Sequence, residues 1–240
     1  HALNQIWHAA GNGNEEMDLL HYAMVGGMPL HDLPDEDQAR FRQWFEGLPE
    51  VQKKYFQETG LNKVIEIHAS VLYENAWEYY NKNNPGKQIT QYNAKRIIAL
   101  AFSCLTKIDN SRAVRNRMSL GEITGIINTP ELTADVVCGV LNIYREEGNS
   151  FIRPFRTADL KTHVISPDTV LDITHEILIR NWNKLNRWAS QEFDYYTTYL
   201  DFLKQMDRWR QSGKSSDFLL PIGPLTYFEN WYRQCKPNEG

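Results

Sequence analysis

The sequence predicts a mainly α-helical chain with one small β-hairpin, and three observations carry the prediction. Apolar residues recur every three or four positions over several long stretches. Cap residues and glycine stops punctuate those stretches at helical lengths. Short β-branched runs gather between Ser150 and Thr174.

Residues 2–10 read as a short helix with Leu3, Ile6 and Trp7 on one face. Gly11-Asn12-Gly13-Asn14 stops it, because these residues tolerate the left-handed backbone a helix end needs. Residues 16–25 read as a second helix, stopped by Gly26-Gly27. Residues 28–61 are dense in Pro, Asp, Glu and aromatic side chains. There Phe41, Trp44, Phe45, Tyr55 and Phe56 fall near helical spacing and predict one or two short helices. Residues 63–80 are strongly periodic through Val64, Ile67, Val71 and Trp77, and the Asn-rich stretch 81–87 is a turn around Pro85-Gly86. Thr90 caps a helix that runs to about residue 106. It is apolar almost all round through Ile97, Ile98, Leu100, Ala101 and Leu105, which predicts a central position.

After Asn110 the pattern changes. Ser119-Leu120-Gly121-Glu122 is a capping box, in which serine and a glutamate three residues on satisfy orphan amides. It opens a helix to Ile127. Thr129-Pro130-Glu131 opens another over 131–147, with Gly148 past its end. Strand-like runs follow at 150–155, 163–165 and 169–174. Two short helices and a β-hairpin, preceded by the helix at 90–106, are the order of a winged helix. One long helix is predicted from His175 to about residue 210, with Leu178, Trp182, Leu185, Tyr196, Tyr199, Leu203 and Met206 in rhythm. Gly213-Lys214-Ser215-Ser216 breaks it, and a last helix covers about 225–235. The expected organisation is a helical domain over 1–89, a winged-helix domain over 90–188, and a long-helix continuation with a helical cap over 189–240.

The 240 residues suffice for a real core, and 23% charged with 42% hydrophobic side chains is an ordinary soluble balance. A net charge of −4 gives no general attraction to nucleic acid or anionic membrane. Cys104, Cys138 and Cys235 are odd in number and far apart. They oppose a disulfide framework or zinc knuckle and fit a reducing, cytoplasmic setting. The longest apolar run, 97–105, is far below the roughly 20 residues that span a bilayer. The chain opens at His1 in what reads as mid-helix, so an internal fragment without a signal peptide is expected.

Familiar chemical motifs fail on spacing. Gly86-Lys87 is followed by Gln88, whereas a phosphate loop needs Ser or Thr there and an earlier glycine. His175-Glu176 begins like a zinc-protease motif, but Ile179 stands where the second histidine belongs. No G-x-S-x-G elbow occurs. No catalytic or metal-binding residue is expected.

What remains is the junction Val170-Leu171-Asp172-Ile173-Thr174-His175-Glu176, a strand that runs directly into a helix with histidine at the turn. The residues leave two roles open. The first helical turn exposes amides that suit an anion, and a histidine there can donate to a phosphate oxygen. Alternatively Thr174 is a cap and His175 packs beside it.

This segment, continuing through Leu178, Arg180, Trp182, Leu185 and Trp188, resembles the winged-helix signature of the STAND NTPases in their "novel STAND" branch. In the apoptosome and plant immune-receptor branches the same place holds a Met-His-Asp motif whose histidine contacts the β-phosphate of ADP. The resemblance makes His175 the nucleotide-binding residue, with Glu176 for the Asp and Thr174 for the Met. Residues 1–7 resemble the helix after a conserved Pro-containing motif. Tyr22 with Gly26-Gly27 resembles the family's Y-x-x-x-G-G, and residues 112–123 its Arg-rich approach to the second winged-helix helix. Residues 151–154 resemble the strand after the third helix, and residues 217–231 the helical segment beyond. Residues 28–61 do not follow the pattern.

The resemblance implies the regulatory part of a signalling ATPase of the innate-immunity or antiviral-defence kind. Such a part senses ADP or ATP state and controls activation and oligomerisation. The parent would bind ADP/ATP with Mg, while the fragment itself needs no cofactor. Its partners would be its own nucleotide-binding domain, an effector, a sensor and further copies of itself. Arg112, Arg115 and Arg117 are candidate phosphate or interdomain contacts, or else a solvated loop. Two rival functions are a DNA-binding regulator and a structural helical scaffold. Residues 131–147 would be the DNA-reading helix, but they set Glu131, Asp135, Glu146 and Glu147 against Arg145 alone, which opposes a polyanion.

Overall fold

The computed structural model describes residues 2–12, 14–53, 61–109, 112–157 and 165–235. It is mainly helical with two small sheets, and the chain divides into two compact units, 1–186 and 187–240.

The first unit opens with α1 (Ala2–Ala9) and α2 (Leu19–Met24). A 3-10 turn at Leu30–Asp32 leads to α3 (Asp35–Glu46), and the four-residue α4 (Glu50–Lys53) follows. Helix α2 starts three residues later than the sequence suggests, because Asp18 caps it. The Asp18 carboxylate accepts from His21 N at 3.0 Å, and the buried His21 ring returns to the Asp18 backbone. That is a capping box with histidine in the place usually held by Glu or Gln. The helix ends in a Schellman motif. Gly26 takes φ +80°, Gly26 N donates to Ala23 O at 2.8 Å, and Gly27 N to Tyr22 O at 2.9 Å. A Cβ on Gly27 would lie 1.9 Å from Cε2 of Tyr22, so the tyrosine ring covers this glycine. The Tyr22…Gly26-Gly27 spacing thus has a local physical cause. Leu20, Ala23 and Leu33 form a satellite core with Phe41 of α3 packed on it. Of the other predicted aromatics here, Trp44 and Phe45 lie on α3, whereas Tyr55 and Phe56 lie outside the described residues.

The central layers are α5 (Leu61–Asn83) and α6 (Gln91–Cys104), the latter capped by Thr90 Oγ1 on Asn93 N at 3.1 Å. After them come β1 (Thr106–Asp109) and β2 (Arg112–Arg115), an antiparallel ribbon, then β3 (Met118–Ser119) and α7 (Leu120–Ile127). The Ser119–Glu122 capping box forms as predicted. Helix α8 (Ala134–Arg145) follows, starting three residues past the predicted site because 130–132 form a turn that buries Leu132. Strands β4 (Ile152–Arg153) and β5 (Val170–Ile173) complete a three-stranded sheet of order β3-β5-β4. The expected run at 163–165 falls mostly outside the described residues. The ribbon was not foreseen: the solvated-loop reading of 112–117 gives way to a strand, because Thr106 pairs with Arg115 and Lys107 with Val114.

Helix α8 is the hub. It packs against α5, α6, α7 and β4, and Val136, Val137, Val140, Leu141, Ile143 and Tyr144 are all buried. Its single basic residue, Arg145, is buried too. Arg145 Nε donates to Pro154 O at 2.8 Å and its guanidinium to Asn142 Oδ1 at 2.5 Å. Beside it Tyr79 and Arg156 both donate to Glu146. A helix enclosed in this way presents no cationic face to a DNA groove.

The predicted 175–210 helix is broken. Helix α9 (Glu176–Asn181) stops at Trp182, whose backbone is extended at φ −93°, ψ 102°, and α10 (Asn183–Gln211) restarts the run. The reason is tertiary. The Trp182 indole enters the core and donates to Ser70 Oγ at 3.1 Å, while Asn183 N donates to Glu66 Oε2 at 2.7 Å. A carboxylate from α5 thus caps α10 in place of the intrahelical partner the amide would have had.

In the second unit α10 ends in a Schellman motif at Gly213 (φ +72°), with Lys214 N donating to Trp209 O at 3.0 Å. A 3-10 turn at Ser216–Phe218 precedes α11 (Ile222–Cys235), which starts three residues early with Pro224 in its first turn, where no amide donor is missed. Phe202 packs edge-on to Phe228 at 5.3 Å, and Trp231 Nε1 donates to Tyr195 O at 3.0 Å. Cys104, Cys138 and Cys235 form no disulfide among the described residues. Among the described residues no helix is long and apolar enough to cross a membrane.

One buried base sets an acid limit on stability. His68 on α5 shares a hydrogen bond of 2.9 Å with Asn149 Oδ1, and burial pushes its pKa down to about 4 from the ordinary 6.5. With the folded pKa below the unfolded one, the unfolded chain binds the extra proton between pH 6.5 and 4. Stability should therefore fall as pH drops through that window and level off below it. Part of the residue still reaches solvent, so roughly 3 kcal/mol is a ceiling. Urea midpoints at pH 7 and pH 4.5 measure the slope. It should shrink in His68→Gln, and an equal slope in the variant would assign the loss to other groups.

Candidate functional site

Strand β5 leaves the sheet at Ile173, bends at Thr174, and delivers His175 as the N-cap of α9 with extended backbone (φ −139°, ψ 134°). His175 makes no side-chain cap bond and is exposed. Thr174 is not the cap; it is buried, and its Oγ1 has no hydrogen-bond partner. The imidazole therefore stands at the strand-to-helix junction and outside the core. The break at Trp182 corrects one expectation. A helix of six residues carries little macrodipole, so any anion here meets the imidazole itself rather than the field of a long helix.

The three arginines separate. Along β2 side chains alternate, so Arg112 lies on the opposite face from Arg115 and at the far end, paired with Asp109. Arg115 and Arg117 converge. Arg117 Nε donates to Asp172 Oδ2 at 3.1 Å, and the Arg115 guanidinium lies 3.6 Å from the same oxygen and donates to Ile173 O at 3.3 Å. Asn116 anchors the turn between them: its backbone N donates to Leu105 O and its Nδ2 to Cys104 O, both at 2.8 Å.

These groups line a cleft of about 370 Å³ formed by Lys107, Arg115, Asn116, Arg117, Asp172 and Glu176. Neither His175 nor Arg112 lines it. Sequence reasoning missed Lys107, Asn116 and Asp172. The signal for Asp172 was present: it is the one carboxylate inside the apolar run Val170–Ile173. Lys107 joins only through the β1–β2 pairing, which periodicity did not reveal.

The donor set suits phosphate oxygens. Three cations face two carboxylates, and Glu176 is itself 3.6 Å from Arg180, one turn along α9. Guanidinium forks match phosphate geometry. The carboxylates are engaged by cations, and among the described residues no group of three or more His, Cys, Asp or Glu could hold a metal ion.

No curated protein and no solved structure matches the chain. A family match does appear, to Novel STAND NTPase 1, over residues 51–217, a span that contains the ribbon, the cleft and the His175 junction. With well over half of its 240 residues inside that match, the chain belongs to the Novel STAND NTPase 1 family.

Proposed function

We propose that this chain is the regulatory helical and winged-helix portion of a STAND signal-transduction ATPase, which responds to ADP/ATP state and governs activation and oligomerisation. The observation that carries the reading is an exposed histidine, His175, at a strand-to-helix junction inside the family match. The winged helix would cover residues 90–188. Supporting it are the order α6, the β1–β2 ribbon, β3, α7, α8, β4, β5 and a sheet in which β5 lies between β3 and β4. ATP turnover would belong to a phosphate-binding part of the parent protein together with Mg, and the residues here would contribute contacts. Arg115 and Arg117 are better placed than Arg112 to reach a phosphate, since they share the cleft. A DNA-reading role finds no support in α8, whose only base is buried.

The test is ADP release. A neutral imidazole donates from one nitrogen only, and a hydrogen bond to a charged partner is worth roughly 1.5–3 kcal/mol. If it forms chiefly in the ADP-bound off state, His175→Ala in the intact protein should speed ADP dissociation by about ten- to a hundredfold. Because His175 is exposed, the melting temperature should hardly change. Unchanged ADP release together with clear destabilisation would make His175 a structural residue and overturn the nucleotide-sensing role.

A further inference from the structure

The cleft beside the β1–β2 ribbon holds an acid where a plain anion site would hold none. Asp172 lies on the central strand with its side chain 14% exposed, and Oδ2 draws both Arg117 and Arg115. Oδ1 of the same carboxylate is buried and has no hydrogen-bond partner. Among the described residues Arg117 is 73% exposed and held only by Asp172, while Arg115, 39% exposed, also donates to Ile173 O at 3.3 Å. Exposed ion pairs of this kind are weak and easily exchanged. Lys107, exposed on β1 of the adjoining ribbon, has no ion-pair partner among the described residues. The cleft is therefore a cationic pocket with an internal counter-ion set to one side. Asp172 occupies the arginines, the cleft's second carboxylate, Glu176, pairs with Arg180, and Lys107 is the cation left over among the described residues.

From this arrangement we infer that the cleft binds a diphosphate group, and that Asp172 is its built-in competitor for Arg115 and Arg117. When the ligand is absent the arginines rest on Asp172. When a diphosphate enters, Lys107 draws it in, and the guanidinium groups turn from Asp172 to its oxygens. A carboxylate a few ångströms from a multiply charged anion opposes binding by direct repulsion, so it sets a ceiling on affinity and makes release fast. This inference rests on the nucleotide-contact reading above and deepens it. It adds a second contact point, apart from His175, and it assigns Lys107 and Asp172 roles that reading leaves unassigned.

The experiment is a calorimetric titration of inorganic pyrophosphate into the full chain at low salt, for wild type, Asp172→Asn, Lys107→Gln and Asp172→Asn/Arg117→Gln. Asp172→Asn keeps the shape and removes the charge. It should tighten binding by about tenfold, the order expected for one charge removed near a surface site. Adding Arg117→Gln should cancel most of that gain. Lys107→Gln changes an exposed side chain and should weaken binding several-fold. Circular dichroism verifies that each variant folds. Unchanged or weaker binding by a folded Asp172→Asn overturns the competitor role, and if Asp172→Asn does not fold, unchanged binding by Lys107→Gln overturns the site by itself. No measurable binding by any variant overturns it as well. The two readings fail separately. Tighter pyrophosphate binding in Asp172→Asn with ADP release insensitive to His175→Ala would sink the His175 role and keep the cleft. The opposite pattern would keep His175 and sink the cleft.

Discussion

Trp182→Ala should remove about 3–5 kcal/mol from the first unit, the range for emptying a large aromatic site in a core that cannot close over it. Trp182 is fully buried. Its ring meets Phe102 edge-on at 5.0 Å and lies 6.0 Å from Tyr144, which joins α6 and α8 to the α9–α10 break. Its indole nitrogen is also the donor to the fully buried Ser70 Oγ, so the variant leaves that oxygen with only its long 3.5 Å bond to Glu66 Oε1 as well as leaving a void. The loss matters for function because Trp182 holds the backbone turn that ends α9 and so fixes the junction bearing His175. Urea unfolding followed by circular dichroism should show a much lower midpoint at an unchanged slope. Trp182→Phe should lose less, since it keeps most of the apolar volume. A fall below about 1 kcal/mol in Trp182→Ala would show that the ring is not the keystone.

Gly139→Leu should be comparably damaging through excess volume. Gly139 lies on α8 against α5, where even a Cβ would come within 2.6 Å of Cε2 and 2.9 Å of Cδ2 of Tyr80. Tyr80 is 2% exposed and has nowhere to go. Alanine there should already cost about 1–3 kcal/mol, and leucine more, because the helices can no longer approach. The two residues touch, so they should couple: Tyr80→Leu ought to recover part of the loss in Gly139→Ala. Gly125 on α7 is the control. Nothing lies within 4 Å of a Cβ there, so Gly125→Ala should be neutral or mildly stabilising. Equal destabilisation at both glycines would mean that backbone freedom, not the α5–α8 contact, is what Gly139 supplies.

Much of the secondary structure was legible because its causes are local. Thr90 caps α6 by reaching a donor three residues away, and Ser119 with Glu122 does the same for α7. Gly26 and Gly213 end their helices by adopting a left-handed backbone, and the bonds that complete each stop span five residues. One local cap was missed, Asp18 with His21, because histidine seldom fills that third position. The periodicity of α5 and α6 was equally readable, since a buried face recurs within a single helix.

Other features depended on partners far along the chain. The rhythm of 175–210 is unbroken in sequence, with neither glycine nor proline near Trp182, yet Ser70 and Glu66 from α5 break it. Arg145 looked like the one base of a reading helix and proved to be enclosed in the core, because α5, α6 and α7 all close on α8. The candidate site follows the same division. The sequence by itself determined the helical elements and the placing of His175 at a strand-to-helix turn, because caps, stops and periodicity act across a few neighbouring residues. Only the tertiary structure decided that Arg115 and Arg117 share Asp172, that Lys107 joins them, and that Arg112 does not. The physical reason is that a charge some 55 residues away in sequence is brought within hydrogen-bond distance by strand pairing and core packing, and neither leaves a local trace in the chain.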